Sequence, residues 1–514
     1  MGLHAHVSRD RVRLTYQGER MSNLSLLAFD LGAESGRAIL GQFDGECLRI
    51  SELHRFANGP VRLRDGLHWD VLRLWSEIKQ GIALAQHECG RDLASIGLDA
   101  WGVDFGLLDR DGVLMGNPYH YRDPRTDGML QEAFRRVPRA EIFARTGIQF
   151  IQINSLYQLL AMAVRRSPAL EMASTFLTIP DLFNYWLTGQ RVCELSSATT
   201  TQCFDPRRND WAREMLGDLG IPTGLFPPVV QPGTRLGPLA PTVAEEAGLV
   251  PGSGPVVIAP ACHDTGSAVA AVPAKAPGFA WISSGTWSIA GAEVPVPVIT
   301  ERSLDCNFTN EGGVCGTYRF SRNVTGLWLV QECRRTWTAQ GQPHPYVELT
   351  QMAAQAKPFL AVLDPDNGEF LKPGDMPARI RCYCQKTGQA TPETMGEIVR
   401  CALEGIALRY RWVLEHLEEM LGNRLAPLHI VGGGAQNELL SQLTADATGR
   451  QVITGPIEAA AAGNILMQMM ALGHIGSLAE ARALVHRSFP SAVYEPASRA
   501  GWDDAFARLV ALAQ

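Results

Sequence analysis

Apolar and polar positions alternate along the chain in two successive patterns. Leu26–Leu31 is the first compact apolar run and reads as a strand, Gly32–Gly36 as a turn, Arg37–Phe43 as a second strand, and a third lies around Leu48–Phe56. This predicts an antiparallel meander. A helix follows from Asp70, because Val71, Leu74, Trp75, Ile78, Ile82 and Ala85 recur at the three-to-four-residue spacing of one buried face. Ser95–Leu108 returns as a strand carrying the cluster Asp99-Ala-Trp-Gly-Val-Asp104.

The second half repeats this order. Phe279–Ile282 and Trp287–Ala292 flank the turn Ser283-Ser-Gly-Thr286, strand-like segments continue to Ser321, and a helix begins near Leu327. Gly396–Leu421 reads as a long helix with Ile398, Ala402, Ile406, Arg409, Val413, Leu417 and Met420 on one side. Leu428–Val431 is a strand running into Gly432–Gly434, with a helix from Asn437. Two halves that each open on strand, glycine turn and strand predict a duplicated α/β protein. The joint falls near 270–280, where the Pro/Gly-rich stretch Val272–Gly278 is a candidate hinge. Ordered structure is expected from about Leu24, giving a flexible extension over residues 1–23, one unit over 24–277 and another over 278–514.

Length and composition narrow the function. At 514 residues, 46% apolar and 19% charged, the chain has material for two to four cores at about 150 residues each. With 46 basic and 53 acidic residues the net charge is −7, and no basic run is present. Nucleic acid and anionic membrane are therefore poor candidates as partners, and a small molecule is the default. The apolar stretch Ala459–Gly473 is interrupted by Asn464 and Gln468 and is shorter than the roughly 20 residues of a membrane span. No apolar secretory run opens the chain, so a cytoplasmic location is expected. Eleven dispersed cysteines, with Cys382 and Cys384 lacking a second pair at zinc spacing, give no sign of a metal or disulfide framework.

The candidate chemistry lies in the turns. None of the five lysines follows a glycine, which excludes a GxxxxGK[ST] phosphate loop, and Gly432–Gly434 lacks the third glycine of a dinucleotide fingerprint. What remains there is a strand-to-helix turn with bare N–H groups, suited to an anion or a planar base, or simply a tight turn. Asp30-Leu-Gly-Ala-Glu-Ser-Gly-Arg37 is a hairpin whose small tip residues let N–H groups approach phosphate, with a carboxylate placed to hold Mg²⁺ through water. An ordinary Gly/Ser hairpin with a solvated Arg37 is the competing reading. Ser283–Thr286 is a second such tip, and two of them across a cleft would clamp a polyphosphate without lysine. After the apolar strand Val256–Ile258, Asp264 is placed either to take a proton from a hydroxyl attacking a γ-phosphate or to cap a helix Gly266–Ala271. His263 alone reads as a hydrogen-bonded structural residue.

The succession DLGAESGR, IGLDAWGVDF, YRDPRT, IPDLFNYWLTG, ACHDTGSAVAAVPA, SSGTWS, NVTGLW and HIVGGGAQNELLSQLTADATGRQV resembles the FGGY carbohydrate kinases of the actin-like ATPase superfamily. The likeness runs in order from about Leu24 to Phe489. It implies two ribonuclease-H-like α/β domains with a cleft between them, sugar held mainly by the first and ATP mainly by the second. DAWGVDF, HDTGSAVAAVPA and NVTGLW are most like the branch that moves the γ-phosphate of Mg·ATP to the 1-hydroxyl of L-rhamnulose. The resemblance implies Asp264 as general base and Asp30 as the Mg²⁺-associated carboxylate. Ala33, Glu34, Ser35, Gly36, Arg37 and Thr286 would line the phosphates, and Gln331 and Gly433 the rest of the nucleotide. Gly102, His263, Thr265 and Asn323 would line the sugar. Glu34 departs from the family, which more commonly has a small hydroxyl residue in that turn. Kinases for L-fuculose, xylulose or another polyol, and a non-catalytic sugar- or nucleotide-responsive protein on the same fold, are the alternatives. The presence of both Asp30 and Asp264 argues against the last.

Overall fold

The computed structural model describes residues 24–89, 93–250, 252 and 254–512; the extension expected over residues 1–23 lies outside them. Two mixed sheets form the framework. The first runs, edge to edge, Thr234–Pro238, Val256–Ala259, Leu93–Ala100, Leu24–Leu31, Ser35–Phe43 and Leu48–Ala57. The three inner strands Val256–Ala259, Leu93–Ala100 and Leu24–Leu31 are parallel, and the flanking pairs are antiparallel. The central strand Leu24–Leu31 is buried along almost its whole length, which explains its continuous apolar run.

The second sheet repeats the plan with one added edge strand. Its order is Thr309–Gly312, Tyr318–Thr325, Trp287–Val294, Ala280–Ser284, Leu428–Val431, Val452–Thr454 and Val493–Tyr494. Again three neighbouring strands, Ala280–Ser284, Leu428–Val431 and Val452–Thr454, are parallel, and the terminal strand Val493–Tyr494 is antiparallel. The fold is thus a mixed α/β architecture of two ribonuclease-H-like domains.

The predicted elements match closely where periodicity was long. The first helix spans Val71–Cys89 and buries Val71, Leu74, Ile78, Ile82 and Ala85. The long helix is Met395–Leu421, opened by a capping box between Thr394 and Glu397 and closed by Gly422 at φ 71°. Arg409 does lie on its buried side, held by Asp364 at 2.5 Å and Asp366 at 3.2 Å.

Ser95–Leu108 is not one strand. Leu93–Ala100 belongs to the first sheet, whereas Phe105–Leu108 pairs with Thr175–Thr178 in a separate ladder. The chain breaks at Val103, whose φ of 67° is left-handed and costly for a β-branched residue. Asp104 sustains it. Its fully buried carboxylate accepts from Trp69 Nε1 at 2.5 Å, Trp101 Nε1 at 3.1 Å, Gln158 Nε2 at 2.8 Å and Tyr121 N at 3.2 Å. Burial still raises its pKa to about 6, against these hydrogen bonds. The helix after Val256–Ala259 also differs from expectation: it is Asp264–Ala270, beginning two residues before the predicted Gly266.

The two halves meet at crossed helices. Asp264–Ala270 follows the first sheet, and Ala459–Leu472 follows Val452–Thr454 of the second. They cross so closely that a Cβ on Gly463 would lie 1.7 Å from the Ser267 carbonyl oxygen. Ala459–Leu472 rests on the first sheet, where buried Gln468 accepts from Ser95 Oγ at 2.6 Å and donates to Leu27 O at 3.1 Å. This explains the polar interruptions in an otherwise apolar segment. A single core of Leu26, Ala28, Val269, Trp281, Ile465 and Met469 joins the halves, and no helix among the described residues is long and apolar enough to cross a membrane.

Gly463→Ala is expected to lower the melting temperature, with a destabilisation of about 1–3 kcal/mol from overpacking. The better helix propensity of alanine acts in the opposite direction, by about 1 kcal/mol. A melting temperature equal to or above wild type would show that the crossing is not tight.

Candidate active site

The carboxyl ends of the parallel strands carry three acids. Asp30 and Asp99 are register partners on neighbouring strands, and Ala100 bridges His263, which places Asp264 at the end of the third. This end of a parallel sheet is where α/β proteins bind ligands. Asp30 is 4% exposed and Asp99 fully buried. Burial pushes the Asp30 carboxyl up while Arg37 pulls it down, and Asp264 and Glu458 push it up again. Burial and the Asp30 charge raise Asp99 well above the ordinary carboxylate range, although Asn464 Nδ2 donates to its Oδ2 at 2.7 Å.

Arg37 is not solvated at the strand start. Its guanidinium binds both Asp30 and Glu458, the residue immediately before Ala459–Leu472, so the ion pair spans the joint between the halves. A divalent cation fits this end of the cleft. Asp99 Oδ1 is buried without a partner, and the nearby Asp264 and Glu458 charges push the Asp30 carboxyl up. Among the described residues no three His, Cys, Asp or Glu side chains group to hold a metal directly. Mg²⁺ held by one carboxylate, water and substrate phosphate suits such a donor set.

Asp264 is the first residue of its helix, not its cap. His263 occupies the cap position with no side-chain capping bond, and Asp264 accepts from Thr265 N at 2.5 Å and Thr265 Oγ1 at 3.0 Å. Its side chain is 32% exposed, leaving room to accept from a ligand. Beside it His263 is almost buried, with Nε2 3.4 Å from Asp264 Oδ1 and Nδ1 3.2 Å from Glu311 Oε2. Gly102 faces this imidazole: a Cβ there would lie 3.3 Å from His263 Nε2 and 3.2 Å from Thr200. Thr265 is nearly buried. Asn323 lies on Tyr318–Thr325 of the second sheet, and its backbone and side-chain N–H groups donate to Gln149 Oε1 at 3.0 and 3.1 Å. It therefore meets the first half through Gln149 and not through His263.

The two predicted tips are each braced within their own half. The turn after Leu24–Leu31 is tied by Asn58, which donates from Nδ2 to Gly32 O at 2.8 Å and from N to Glu34 O at 2.9 Å. Ala33 and Ser35 are half-buried around an exposed Glu34. Gly36 has a packing reason of its own, since a Cβ would sit 2.2 Å from the Phe56 ring. The second turn is shorter than predicted, because Ala280–Ser284 continues to Ser284 and only Gly285 and Thr286 form the tip. Trp328 N donates to Thr286 O at 3.1 Å, bringing the helix Trp328–Ala339 and its Gln331 against that tip; Gln331 Oε1 is buried without a partner. Gly432, at φ 85°, and Gly434 press on the same strand end, their Cβ positions 2.9 Å from Ser284 O and 2.0 Å from Ser284 Oγ. Gly433 between them is exposed, with nothing within 4 Å of its Cβ position.

Two halves of this topology, with acids at the strand ends of one and glycine-rich turns at those of the other, define a phosphotransferase of the actin-like class. Residues 25–271 match the N-terminal domain and 280–472 the C-terminal domain of the FGGY family of carbohydrate kinases, and the chain belongs to that family. It is an ATP-dependent sugar phosphotransferase. Among curated relatives, a rhamnulokinase of Bacteroides thetaiotaomicron is 44% identical over 94% of this chain and 98% of that one. A rhamnulokinase of Oceanobacillus iheyensis is 39% identical over 92% and 99%. Gluconate kinase from Lactobacillus acidophilus superposes with a TM-score of 0.79 over 96% of this chain and 98% of its own, at 17% identity. Plasmodium falciparum glycerol kinase with ADP superposes at 0.73, over 95% and 98%, at 15% identity. At such identities these structures establish the fold.

Several neighbours of the predicted residues escaped sequence reasoning. Glu458, Glu311, Arg319 and Gln149 each reach the site from a distant element, and Asp99 stands in the sequence only as part of the strand cluster Asp99–Asp104. Its electrostatics are testable. The folded state raises the Asp99 pKa above the ordinary 3.8, so the stability carried by its protonated form is present below that pH and lost as pH rises through the folded pKa. Asp99→Asn cannot ionise. In metal-free buffer its melting temperature should match wild type near pH 4 and exceed it by a growing margin toward pH 8. A difference independent of pH would contradict the assignment.

Proposed function

We propose that the protein transfers the γ-phosphate of ATP to the 1-hydroxyl of L-rhamnulose, giving L-rhamnulose 1-phosphate and ADP in the catabolism of L-rhamnose. The observation that carries the chemistry is Asp264, a carboxylate open to solvent on one side, at the end of a parallel strand and against His263. The relatives that span nearly the whole chain support this sugar over other ketoses.

In this reading 24–277 is the sugar-binding unit and 278–514 the ATP-binding unit. Gly102, His263, Thr265 and Asn323 line the sugar, the first three already clustered beside Asp264. The absence of a side chain at Gly102 leaves space over the imidazole. Asp264 accepts the proton of the attacking hydroxyl as its oxygen bonds to the γ-phosphorus and the bond to the β-phosphate oxygen breaks, releasing ADP. Ala33, Ser35 and Gly36 offer N–H groups to phosphate, and exposed Glu34 stays clear of it. Thr286 and Gln331 meet the nucleotide from the second half, and the open face of Gly433 lets the base approach the backbone. Mg²⁺, when bound with ATP, would neutralise phosphate charge next to Asp30. Arg37, now shared by Asp30 and Glu458, is then free to face phosphate oxygens. With ATP and a free sugar as its substrates, the protein works in the cytoplasm.

A coupled ADP-release assay over L-rhamnulose, L-fuculose, L-xylulose, D-xylulose and glycerol is the test. L-rhamnulose should have the highest kcat/KM, and other deoxyketoses should retain partial activity because one methyl in a pocket is worth only about 1–3 kcal/mol. A preference for D-xylulose or glycerol would overturn the substrate.

A further inference from the structure

The second half contributes a buried ion pair to His263. Glu311 and Arg319 are register partners on Thr309–Gly312 and Tyr318–Thr325, the two strands at the edge of the second sheet. Arg319 is fully buried and Glu311 nearly so. The Arg319 Nη2 lies 3.0 Å from Glu311 Oε2 and is hydrogen-bonded to His263 Nδ1 at 3.1 Å, while Nε donates to Gly312 O at 3.0 Å. Nδ1 also lies 3.2 Å from Glu311 Oε2, but that oxygen has no aligned hydrogen-bond donor. Burial works to raise the Glu311 carboxyl, and the adjacent Arg319 guanidinium is the largest influence lowering it. On the first half, His263 N donates to Ser196 Oγ at 3.0 Å, and Gly312 N donates to Thr199 Oγ1 at 2.8 Å.

The donor and acceptor inventory decides which imidazole nitrogen carries the proton. A guanidinium only donates, so a hydrogen bond from Arg319 Nη2 requires a lone pair on Nδ1. The proton then sits on Nε2, which faces Asp264 Oδ1 at 3.4 Å and the edge of Gly102. In the other tautomer two N–H groups would oppose each other at Nδ1, and a lone pair would face the Asp264 carboxylate. Arg319 and Asp264 both favour Nε2–H, whereas Glu311 alone would favour Nδ1–H.

We propose that Arg319, neutralised by Glu311, is a positioning residue that holds His263 as its Nε2–H tautomer, aimed at the sugar pocket and Asp264. The second half thereby completes a pocket built on the first. Glu311 keeps the buried guanidinium paired, and Arg319 prevents Glu311 from taking the Nδ1 proton for itself. Only the kinetic consequence rests on the sugar-kinase reading; the tautomer is a property of the unliganded protein.

The test is nitrogen–proton correlation spectroscopy on full-length protein labelled at its 12 histidines, with His263→Gln used to assign the resonance. Wild type should show Nε2–H at His263. Arg319→Met should shift it toward Nδ1–H, now donated to Glu311. Arg319→Lys, which keeps a donor there, should retain Nε2–H. With the best ketose substrate, Arg319→Met should raise the sugar KM by about 10–100-fold, the cost of a charged hydrogen bond, and leave the ATP KM within about twofold. A general loss of structure would move both. Wild-type His263 as Nδ1–H or as imidazolium overturns the proposal without reference to any variant. A tautomer unchanged in Arg319→Met overturns it equally. Failure of every ketose to react would sink the functional reading while the spectrum still decided this one.

Discussion

The close crossing of Asp264–Ala270 and Ala459–Leu472 is the constraint on which the rest depends. Gly463 lets the second helix lie against the Ser267 carbonyl, and from that contact the geometry of the cleft follows. The proposed base is the first residue of one crossed helix, and Glu458, which shares Arg37 with Asp30, immediately precedes the other. Six residues beyond Glu458, Asn464 donates from Nδ2 to Asp99 Oδ2 at 2.7 Å, and its Oδ1 accepts from Gln468 Nε2 of its own helix at 2.7 Å. Each helix of the pair therefore delivers polar groups to the same row of strand ends.

That row concentrates negative charge where burial opposes it. Burial pushes both Asp30 and Asp99 upward, the charge of Asp264 adds to both and that of Asp30 to Asp99, and Arg37 is the cation bound directly to Asp30. A cation arriving with a polyphosphate would further offset the charge concentrated there. A buried Glu311–Arg319 pair likewise balances its own charge beside the His263 imidazole. Replacing either partner alone would leave the other uncompensated in the interior, which is far costlier than the pair is stabilising.

Long periodic stretches and compact apolar runs were legible: Val71–Cys89, Met395–Leu421 and Leu428–Val431 need only local pattern. Reading failed where distant residues decide local shape. Ser95–Leu108 looks continuous because Trp101, Val103 and Phe105 are apolar; the break is imposed by donors to Asp104 from Trp69, Tyr121 and Gln158. The helix at Asp264 begins two residues early, with His263 at its cap position although that side chain makes no capping bond. For the site, the acids and glycines at the turns could be read from spacing and resemblance. Their partners could not: Glu458 is separated from Arg37 by 421 positions and Arg319 from His263 by 56. Gly36 and Gly434 also have a packing reason to be glycine, which the sequence alone does not reveal: a Cβ at either would press on Phe56 or Ser284.

The central claim is that Asp264 removes a proton and does more than place charge in a helix first turn. Asp264→Asn preserves size and the ability to accept from Thr265, and its loss of charge at the helix start costs only about 0.3–1 kcal/mol. Measured by steady-state turnover alongside thermal melting, kcat should fall by about 10²–10⁴-fold with the melting temperature nearly unchanged. Retention of more than about a tenth of wild-type kcat would contradict the account, because general-base catalysis contributes more than that.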